Sequence, residues 1–516
     1  MRRPLSIQLF LAALLVAIFA VNVHHYWFLG DDCFIAFRFS KNFVDGHGLV
    51  FNIGERVEGY TQFIWVLLVA LGMKLGAAPE IFAPAAGIAF GVGVLALLLH
   101  LSWSRGHGMW MWLAPFALVA NRTFTGWCTG GLGTQLFAFF VLLGCIRFAK
   151  ETETGAPRPW GSGLAFALAT LARPEGGMFF AFAGLFLLGD VMRRRTAWRH
   201  LFLWPIPVVV LVGGHFLWRY DYYGFWLPNT FYAKVSGWWW EQAQHYIRFF
   251  IEDHLLWLAL PLLAVLAAAK LARVHTLFLT TCALYVVYIV YIGGDRFEFR
   301  FWTPVMPMLW WLFAESARTL STELVKNRGL ARGLGASAVT IVLLTASWPR
   351  FHPPSNQPRE HIAPIQAIRG YAKGRAIQGK FLKKLVEDGV LEGDELIAVR
   401  GAGALPYYSE FPILDLHGLN DVEIAHSEIG ERGMVAHEKE ATLEYVQRRG
   451  TVMCNVHNTL VFDERPSHVL LTGVSLAPYV PLPVRLVEMD GTYIAFGTTL
   501  SEEEFQAKFA KFRIHR

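Results

Sequence analysis

Charged residues are scarce in this chain. Asp, Glu, Lys and Arg make up 17% of its 516 residues and hydrophobic residues make up 54%, whereas a soluble domain carries about 25% charged residues. This scarcity excludes an ordinary soluble enzyme and predicts a membrane protein in contact with lipids. The formal net charge of +6 does not indicate a nucleic-acid partner, because Lys and Arg stand in short clusters between apolar runs, where they orient helices.

Cysteine is scarce as well. The five cysteines show no CxxC spacing, so the sequence favours neither a zinc site nor a framework of disulfides. Cys33 could pair with Cys128 outside the membrane, although such sparse usage argues against it. Carboxylates in the external loops would suit a hard divalent cation, but they show no decisive ligand spacing. We therefore predict no certain cofactor and leave a divalent cation open.

Long apolar runs are, by contrast, abundant up to residue 349. They predict about eleven transmembrane helices in a mainly α-helical polytopic module. The first run, residues 6–30, has no small-residue cleavage site, so we interpret it as a retained anchor. The positive-inside rule places the N-terminus and the basic tract at 193–195 in the cytoplasm. Residues 61–73 are short and predict a juxtamembrane or re-entrant helix; counting them as a full span would invert the topology.

This topology leaves three parts of the chain outside. They are a first extracytoplasmic loop at 31–60, an interfacial segment at 219–253 with three consecutive tryptophans, and a soluble extracytoplasmic α/β domain at 350–516. His417 and His437 in that domain are more typical of solvated than of catalytic side chains. Pro353 and Pro354 mark its linker, and its predicted elements include strands at 396–399 and 469–472 and helices at 366–387 and 502–512.

The two adjacent aspartates after the first apolar run, Asp31 and Asp32, are the most informative residues. A carboxylate pair at the end of a transmembrane helix is costly and indicates a functional site. The predicted topology places further charges on the same side: Arg173, Lys234, Asp295, Arg296 and Arg300.

Such a set of charges suits sugar transfer from a lipid phosphate. That reaction needs a carboxylate to accept the proton of the acceptor hydroxyl and cations to stabilise the leaving phosphate. Arginine binds phosphate with two parallel hydrogen bonds, whereas lysine acts as a compact point charge.

Each signal also has a plainer interpretation. The two aspartates could be stop signals that keep the following loop in water. Residues 173–177 could be only a hairpin with an ion pair, and residues 293–295 an ordinary turn. Lys234 could extend to lipid headgroups. None of these motifs alone identifies an enzyme.

Five blocks together resemble a bacterial family of GT-C fold glycosyltransferases, in particular the mycobacterial terminal β-(1→2) arabinofuranosyltransferases. The blocks are residues 31–65, LARPEG at 171–176, YYGFWLPNTFYAK at 222–234, GGDRFEFRFWTPVMP at 293–307 and ILDLHGLND at 413–421. The resemblance implies a polyprenyl-phosphate sugar donor, of the decaprenylphosphoryl arabinose type in arabinosyl members, and a cell-envelope glycan acceptor. It also implies an acidic base in the first external loop, which falls on Asp31 or Asp32. Gly133 stands where the family pattern implies a glutamate.

We therefore predict an inverting, polyprenyl-phosphate-dependent glycosyltransferase of cell wall biogenesis in the bacterial inner membrane. Asp31, at the helix end, is our predicted base, with Asp32 as its partner. Arg173, Lys234, Arg296 and Arg300 would hold the donor phosphate. The residues predicted to bind substrate are His47, Glu58, Tyr60, Asn229, Tyr232, Asp295 and His417. The alternatives are a non-catalytic envelope or motility protein, a lipid-linked-sugar flippase and a protein O-mannosyltransferase.

Overall fold

The computed structural model describes most of the chain. The described residues are 5–154, 160–234, 237–269, 271–351, 358–429, 437–455, 459–466 and 482–515. The strand predicted at 469–472 and the linker residues Pro353 and Pro354 lie outside them.

Helices form nearly all of the regular structure in residues 5–351, which we call the helical part. In chain order they are α1 (Leu5–His25), α2 (Asp31–Val44), α3 (Phe63–Lys74), α4 (Pro79–Ser104), α5 (Leu113–Ala120), α6 (Arg122–Gly126), α7 (Thr134–Thr154), α8 (Trp160–Ala172), α9 (Gly176–Met192), α10 (His200–Leu203), α11 (Ile206–Tyr223), α12 (Asn229–Lys234), α13 (Trp240–Asp253), α14 (Leu256–Ala259), α15 (Leu263–Ala267), α16 (Arg273–Ile292), α17 (Met306–Thr319) and α18 (Arg328–Phe351). Short 3₁₀ segments occur at Gly108–Trp112, Leu260–Leu262 and Arg300–Trp302, and a π-helical turn follows α17.

Several helices can cross a membrane, so this is a multi-pass membrane protein. Within the described residues, five are long and apolar enough, and a sixth span results if the bent pair Trp240–Asp253 and Leu256–Ala267 counts as one. The five are Leu5–His25, Pro79–Ser104, His200–Tyr223, Arg273–Ile292 and Arg328–Arg350. Further apolar helices are 10–17 residues long, so the count of eleven spans stays a prediction.

The predicted first external loop contains a helix, α2. The aspartate pair opens α2, where the partial positive charge of a helix N-terminus favours carboxylates. Residues 33–39 bury apolar side chains on several faces of this helix, which the sequence analysis took as loop. α3, with 12 residues, reaches about 18 Å at 1.5 Å per residue, too short to span a bilayer core of about 30 Å.

The predicted interfacial segment at 219–253 begins later than expected. Residues up to Tyr223 continue α11, which ends where Gly224 adopts a left-handed φ of 82°. Only the short helices α12 and α13 follow within the segment. Arg219 can lie inside α11 because its guanidinium is buried and paired with Glu58.

The C-terminal part, residues 358–515, is an α/β region, as predicted. Its helices are α19 (Ile365–Glu387), α20 (Ala404–Ser409), α21 (Val422–His426), α22 (Leu443–Arg448) and a final one at Glu502–Lys508. Its strands are β1 (Ile397–Val399), β2 (Ile413–Asp415), β3 (Met453–Asn455), β4 (Val461–Phe462), β5 (Val484–Met489), β6 (Thr492–Gly497) and β7 (Arg513–His515). The sheet order is β2-β1-β3-β6-β5-β7, with β4 also paired to β6. The first three strands are parallel and fully buried, and β6, β5 and β7 pair antiparallel.

Buried polar side chains of the helical part fix the C-terminal part in place. Arg38 of α2 donates to the carbonyls of Pro406 and Phe411, both at 2.8 Å. Asn52 pairs with the backbone of Ile413 in both directions, at 2.7 and 3.0 Å. These bonds join β2 and the α20 region to the loop after α2, so the two parts meet around the aspartate pair.

A buried ion pair anchors the chain where it enters the C-terminal part. Glu298 pairs with Arg122, and its carboxylate also accepts a hydrogen bond from the Ile365 amide at 2.8 Å. The indole of Trp127 donates to the Glu298 carbonyl at 2.8 Å. Because breaking a buried pair leaves an uncompensated charge, Glu298 stabilises this junction and is not free to bind a substrate.

Candidate active site

A cavity of about 400 Å³ lies where the helical and C-terminal parts meet, and we call it the Asp32 cavity. Its charged lining residues are Asp32, Arg173, Glu175, Lys234, Asp295, Arg296 and Arg300. Apolar and aromatic side chains form another part of the wall, including Leu227, Phe231, Tyr288, Tyr291 and Ile292. Four cations face three carboxylates beside an apolar surface, so the cavity suits an anionic ligand that carries a hydrophobic group.

The pair formed by Asp32 and Arg296 lies at the centre of the charge cluster. Nη2 of Arg296 donates to Oδ1 of Asp32 at 2.7 Å. Burial raises the pKa of Asp32, but the charges of Arg296, Lys234 and Arg300 outweigh burial and hold that pKa below its usual range. Asp32 is therefore a carboxylate at neutral pH.

Arg300 pairs with Asp295, five residues earlier in the GGDRFEFR block. The distance from Nε of Arg300 to Oδ2 of Asp295 is 2.7 Å, and Nη2 donates to Oδ1 at 3.1 Å. The guanidinium also lies 4.9 Å from the ring centre of Phe297 and 5.2 Å from that of Phe301. Carboxylate and rings together hold this arginine at the cavity wall.

The RPEGG turn between α8 and α9 is both a tight turn and a wall of the cavity. A Cβ on Gly176 would lie 2.4 Å from backbone atoms of Ala169, so only glycine allows this approach. Arg173 pairs with Glu175 at 2.5 Å, and the hydroxyl of Tyr288 donates to the same carboxylate at 3.1 Å. The hairpin with an ion pair is thus real, and it also positions Arg173 in the cavity.

Lys234 is the cation of the cavity that lacks a close carboxylate. It ends the short helix α12, and within the described part of the chain its ammonium group makes no ion pair shorter than 4.0 Å and no hydrogen bond. Burial lowers its pKa, whereas Asp32 raises it. A bound anion would replace the missing partner.

Asp31 has a different environment from its neighbour. Its carboxylate points to the C-terminal part, where Oδ1 accepts a hydrogen bond from the Ala404 amide at 2.8 Å. A Cβ on Gly403 would lie 2.1 Å from the Asp31 carbonyl oxygen, so the backbones touch here. Burial raises the pKa of Asp31, and Arg375 opposes that rise. Asp31, the base predicted from the sequence, does not line the Asp32 cavity, whereas its predicted partner Asp32 does.

Three residues predicted to bind substrate lie near α2, and they differ in whether they line the cavity and whether their polar groups are already bound. Tyr60 lines the Asp32 cavity, with its hydroxyl 3.2 Å from that of Tyr223. Glu58 is buried against Arg219, whose Nε and Nη2 both donate to Oε2, so this carboxylate is already bound. His47 is exposed and does not line the cavity.

Three others contact the C-terminal part or belong to it. The amide of Asn229 donates to the carbonyls of Gly418 and Leu419 at 2.9 and 3.0 Å, which fixes a loop whose Leu419 lines the cavity. The ring of Tyr232 lies 4.2 Å from that of His426. His417 bonds to the Lys439 carbonyl at 3.1 Å. None of these three residues lines the Asp32 cavity.

Sequence reasoning missed Tyr288, which lines the cavity, and the contact of His437 with the cavity residue Arg296. Tyr288 comes from the middle of an apolar helix, where a single tyrosine carries no pattern. His437 is half-buried, and Nε2 of its ring lies 3.0 Å from Nη1 of Arg296. The solvated character predicted for His417 and His437 is therefore wrong, because the two rings stack 4.1 Å apart.

Gly133 occupies a tight position. Its amide donates to Oε1 of Gln62 at 2.7 Å, and a Cβ there would lie 3.0 Å from that oxygen and 3.1 Å from the side chain of Trp65.

Within the described residues, the one group of carboxylates spaced for a metal ion is Glu392, Asp394 and Glu395, and none of them lines the cavity.

Comparison with known proteins gives relatives and a fold. A family model described as a domain of unknown function, DUF8728, matches residues 367–507. A terminal beta-(1->2)-arabinofuranosyltransferase of Corynebacterium glutamicum is 28% identical over 347 residues, covering 56% of this chain and 48% of the relative. One of the same name from Mycobacterium tuberculosis is 29% identical over 255 residues, covering 45% and 39%. The matches thus span less than half of the length of these relatives.

A solved structure shares the architecture across nearly the whole chain. The crystal structure of ArnT from Cupriavidus metallidurans bound to undecaprenyl phosphate aligns with a TM-score of 0.61 at 13% identity, covering 96% of this chain and 98% of ArnT. The chain has a GT-C fold. The fold class predicted from the sequence, and the similarity to arabinofuranosyltransferases, are confirmed.

Proposed function

We propose that this GT-C protein is an inverting glycosyltransferase that moves a sugar from a polyprenyl phosphate to a glycan of the cell envelope. The observation that carries the proposal is the Asp32 cavity, in which four cations, three carboxylates and an apolar wall converge. Its sidedness follows from the positive-inside rule, which places the cavity and the C-terminal part outside the bacterial inner membrane and the N-terminus in the cytoplasm.

The cations of the cavity would hold the donor phosphate. Lys234 has no close partner among the described residues, while Arg173, Arg296 and Arg300 each present a guanidinium beside the apolar wall. A phosphate there would gain charge-assisted hydrogen bonds, and the same groups would stabilise it as the leaving group. The prenyl chain would follow the apolar wall towards the bilayer.

Asp32 is the base in this proposal. A base must reach the acceptor hydroxyl, and Asp32 lines the cavity whereas Asp31 does not. In the free protein Arg296 binds Asp32 and keeps it a weak base. When the donor phosphate takes up the charge of Arg296, the pKa of Asp32 would rise, so that donor binding would activate the base.

Arabinofuranose is the proposed sugar, because the curated relatives are named for its transfer. The undecaprenyl phosphate bound to ArnT supports a polyprenyl phosphate as the carrier. We infer a donor of the decaprenylphosphoryl arabinose type, with a cell-wall glycan as acceptor.

The test is transfer by purified protein from a polyprenyl-phosphate arabinofuranose to an arabinan oligosaccharide, with a peptide as the alternative acceptor. Asp32→Asn should lower kcat/KM by about 100-fold or more, the usual contribution of a general base, while undecaprenyl phosphate still binds. The control is Asp45→Asn, which removes an exposed carboxylate that pairs with Lys41 and should leave the rate unchanged. Transfer by Asp32→Asn within tenfold of the wild type would place the base elsewhere, and transfer to the peptide alone would indicate a protein glycosyltransferase.

A further inference from the structure

His437 is a residue of the C-terminal part whose side chain contacts the charge cluster of the cavity. Nε2 of its ring lies 3.0 Å from Nη1 of Arg296, and Nη2 of the same guanidinium donates to Asp32 at 2.7 Å. Arg296 therefore bridges a histidine on one side and a carboxylate on the other.

The bond fixes the protonation of this histidine. A guanidinium offers only donors and keeps its proton, so Nε2 of His437 must be the acceptor and the imidazole must be neutral. Burial lowers the pKa of His437 well below its usual value, and the charge of Arg296 lowers it further. The lowered pKa and the hydrogen-bond geometry both indicate a neutral imidazole.

The ring of His437 is itself held in place. It stacks on His417 with parallel planes and centres 4.1 Å apart. His417 is oriented by the Lys439 carbonyl at 3.1 Å, which requires the proton on Nδ1, and burial lowers the pKa of His417 to about 4. Two neutral rings thus give His437 a defined orientation without adding a charge.

The guanidinium of Arg296 is then fixed from three directions. Asp32 and His437 each bind one terminal nitrogen, and the ring of Phe297 lies 4.5 Å from the guanidinium carbon. Of these contacts, the one with Asp32 must weaken when the arginine turns to a phosphate. The bond to His437 can persist, because it occupies the other nitrogen.

We infer that His437 is a positioning residue for the donor: it holds one nitrogen of Arg296 so that the other is directed into the cavity, at the phosphate of the bound lipid. The inference rests on the proposed function and deepens it, since it makes the C-terminal part necessary for donor affinity. Without His437, a bound phosphate would have to restrain a mobile guanidinium, which costs conformational entropy.

The experiment compares His437→Ala and His437→Gln in the full-length protein. Alanine removes the acceptor, so KM for the polyprenyl-phosphate sugar and the dissociation constant for undecaprenyl phosphate should both rise about 5- to 20-fold, the effect of losing a charge-assisted hydrogen bond, with kcat changed less than threefold. Glutamine supplies a carbonyl acceptor and should restore both values to within threefold. The matched control is His426→Ala, because exposed His426 contacts Tyr232 but not Arg296; it should behave as the wild type.

The outcomes separate this inference from the proposed function. An active wild type with His437→Ala inside twofold of its KM would overturn the inference alone. A glutamine variant as impaired as the alanine variant, or a loss in kcat without a change in KM, would also overturn it, because positioning through a hydrogen bond predicts neither. A wild type that neither transfers the sugar nor binds undecaprenyl phosphate would overturn the proposed function itself.

Discussion

Two cavities that the described residues line with charged side chains differ in their charge balance. Besides the Asp32 cavity, a second one of about 340 Å³ is lined by Arg105, His107, His275, Glu315, Arg318 and Glu323, and we call it the Glu315 cavity. Its arginines are matched: Arg105 pairs with Glu153, and Arg318 pairs with Glu315 and Glu323. The Asp32 cavity, in contrast, has one cation more than carboxylates.

This difference supports the proposal that the Asp32 cavity binds substrate and that the Glu315 cavity is structural. In the Glu315 cavity, both oxygens of Glu315 accept hydrogen bonds from Arg318, and His107 and His275 stack on Trp311. The arginines of this set are paired without a ligand. A surplus cation in a recessed site gains a partner when an anion binds, so the extra charge supports the proposal that substrate binds in the Asp32 cavity.

Among the variants that compare the two cavities, the largest expected effect is that of removing the surplus cation. Lys234→Ala should weaken the binding of undecaprenyl phosphate about 10- to 100-fold, because a hydrogen bond to a charged group contributes about 1.5–3 kcal/mol. Arg105→Ala removes one cation from the other cavity and should leave binding unchanged. Fluorescence titration of the purified protein in detergent measures both. Equal losses in the two variants would show that overall charge, and not the cavity, attracts the lipid.

A second variant tests whether the Glu315 cavity is structural. Glu315 is 3% exposed, so Glu315→Gln leaves Arg318 with a weaker partner and should cost about 2 kcal/mol of stability. Exposed Glu323 is the control, since Glu323→Gln should cost less than about 1 kcal/mol. Thermal unfolding in detergent measures stability, and sugar transfer below the unfolding range should be unchanged in both. A folded Glu315→Gln protein without transfer activity would break the distinction between the cavities.

The sequence predicted much of the fold and of the charge cluster. The span predicted at 81–103 is α4, the strand at 396–399 is β1, and the helix at 366–387 is α19. Among predicted site residues, Asp32, Tyr60, Arg173, Lys234, Asp295, Arg296 and Arg300 line one cavity. They could be grouped because the positive-inside rule gives the side of the membrane on which each loop lies.

The sequence could not predict the direction in which a side chain points or the distant residue that it contacts. Adjacent residues of a helix point about 100° apart, so Asp31 and Asp32 face different surroundings, and only the packing of α2 decides which one meets the cavity. The partners of Glu58 and Asn229 lie 161 and 189 residues away, beyond any local pattern. The bond between His437 and Arg296 spans 141 residues and is hidden for the same reason.

The smallest expected effect, that of pH on the wild type, sharpens the comparison further. Surrounding cations hold the pKa of Asp32 below its usual range, so Asp32 stays deprotonated in the free protein. The kcat/KM of the wild type should therefore stay nearly constant from neutral pH down to about pH 5. Activity should fall only as pH drops through that lowered pKa. Arg296→Gln removes the nearest charge while burial still raises the pKa, so the acid limb of kcat/KM should move to higher pH, whereas Arg296→Lys keeps the charge and should move it less. If the limb stays in place in Arg296→Gln, the surplus positive charge does not control the base, and the acid limb belongs to another group.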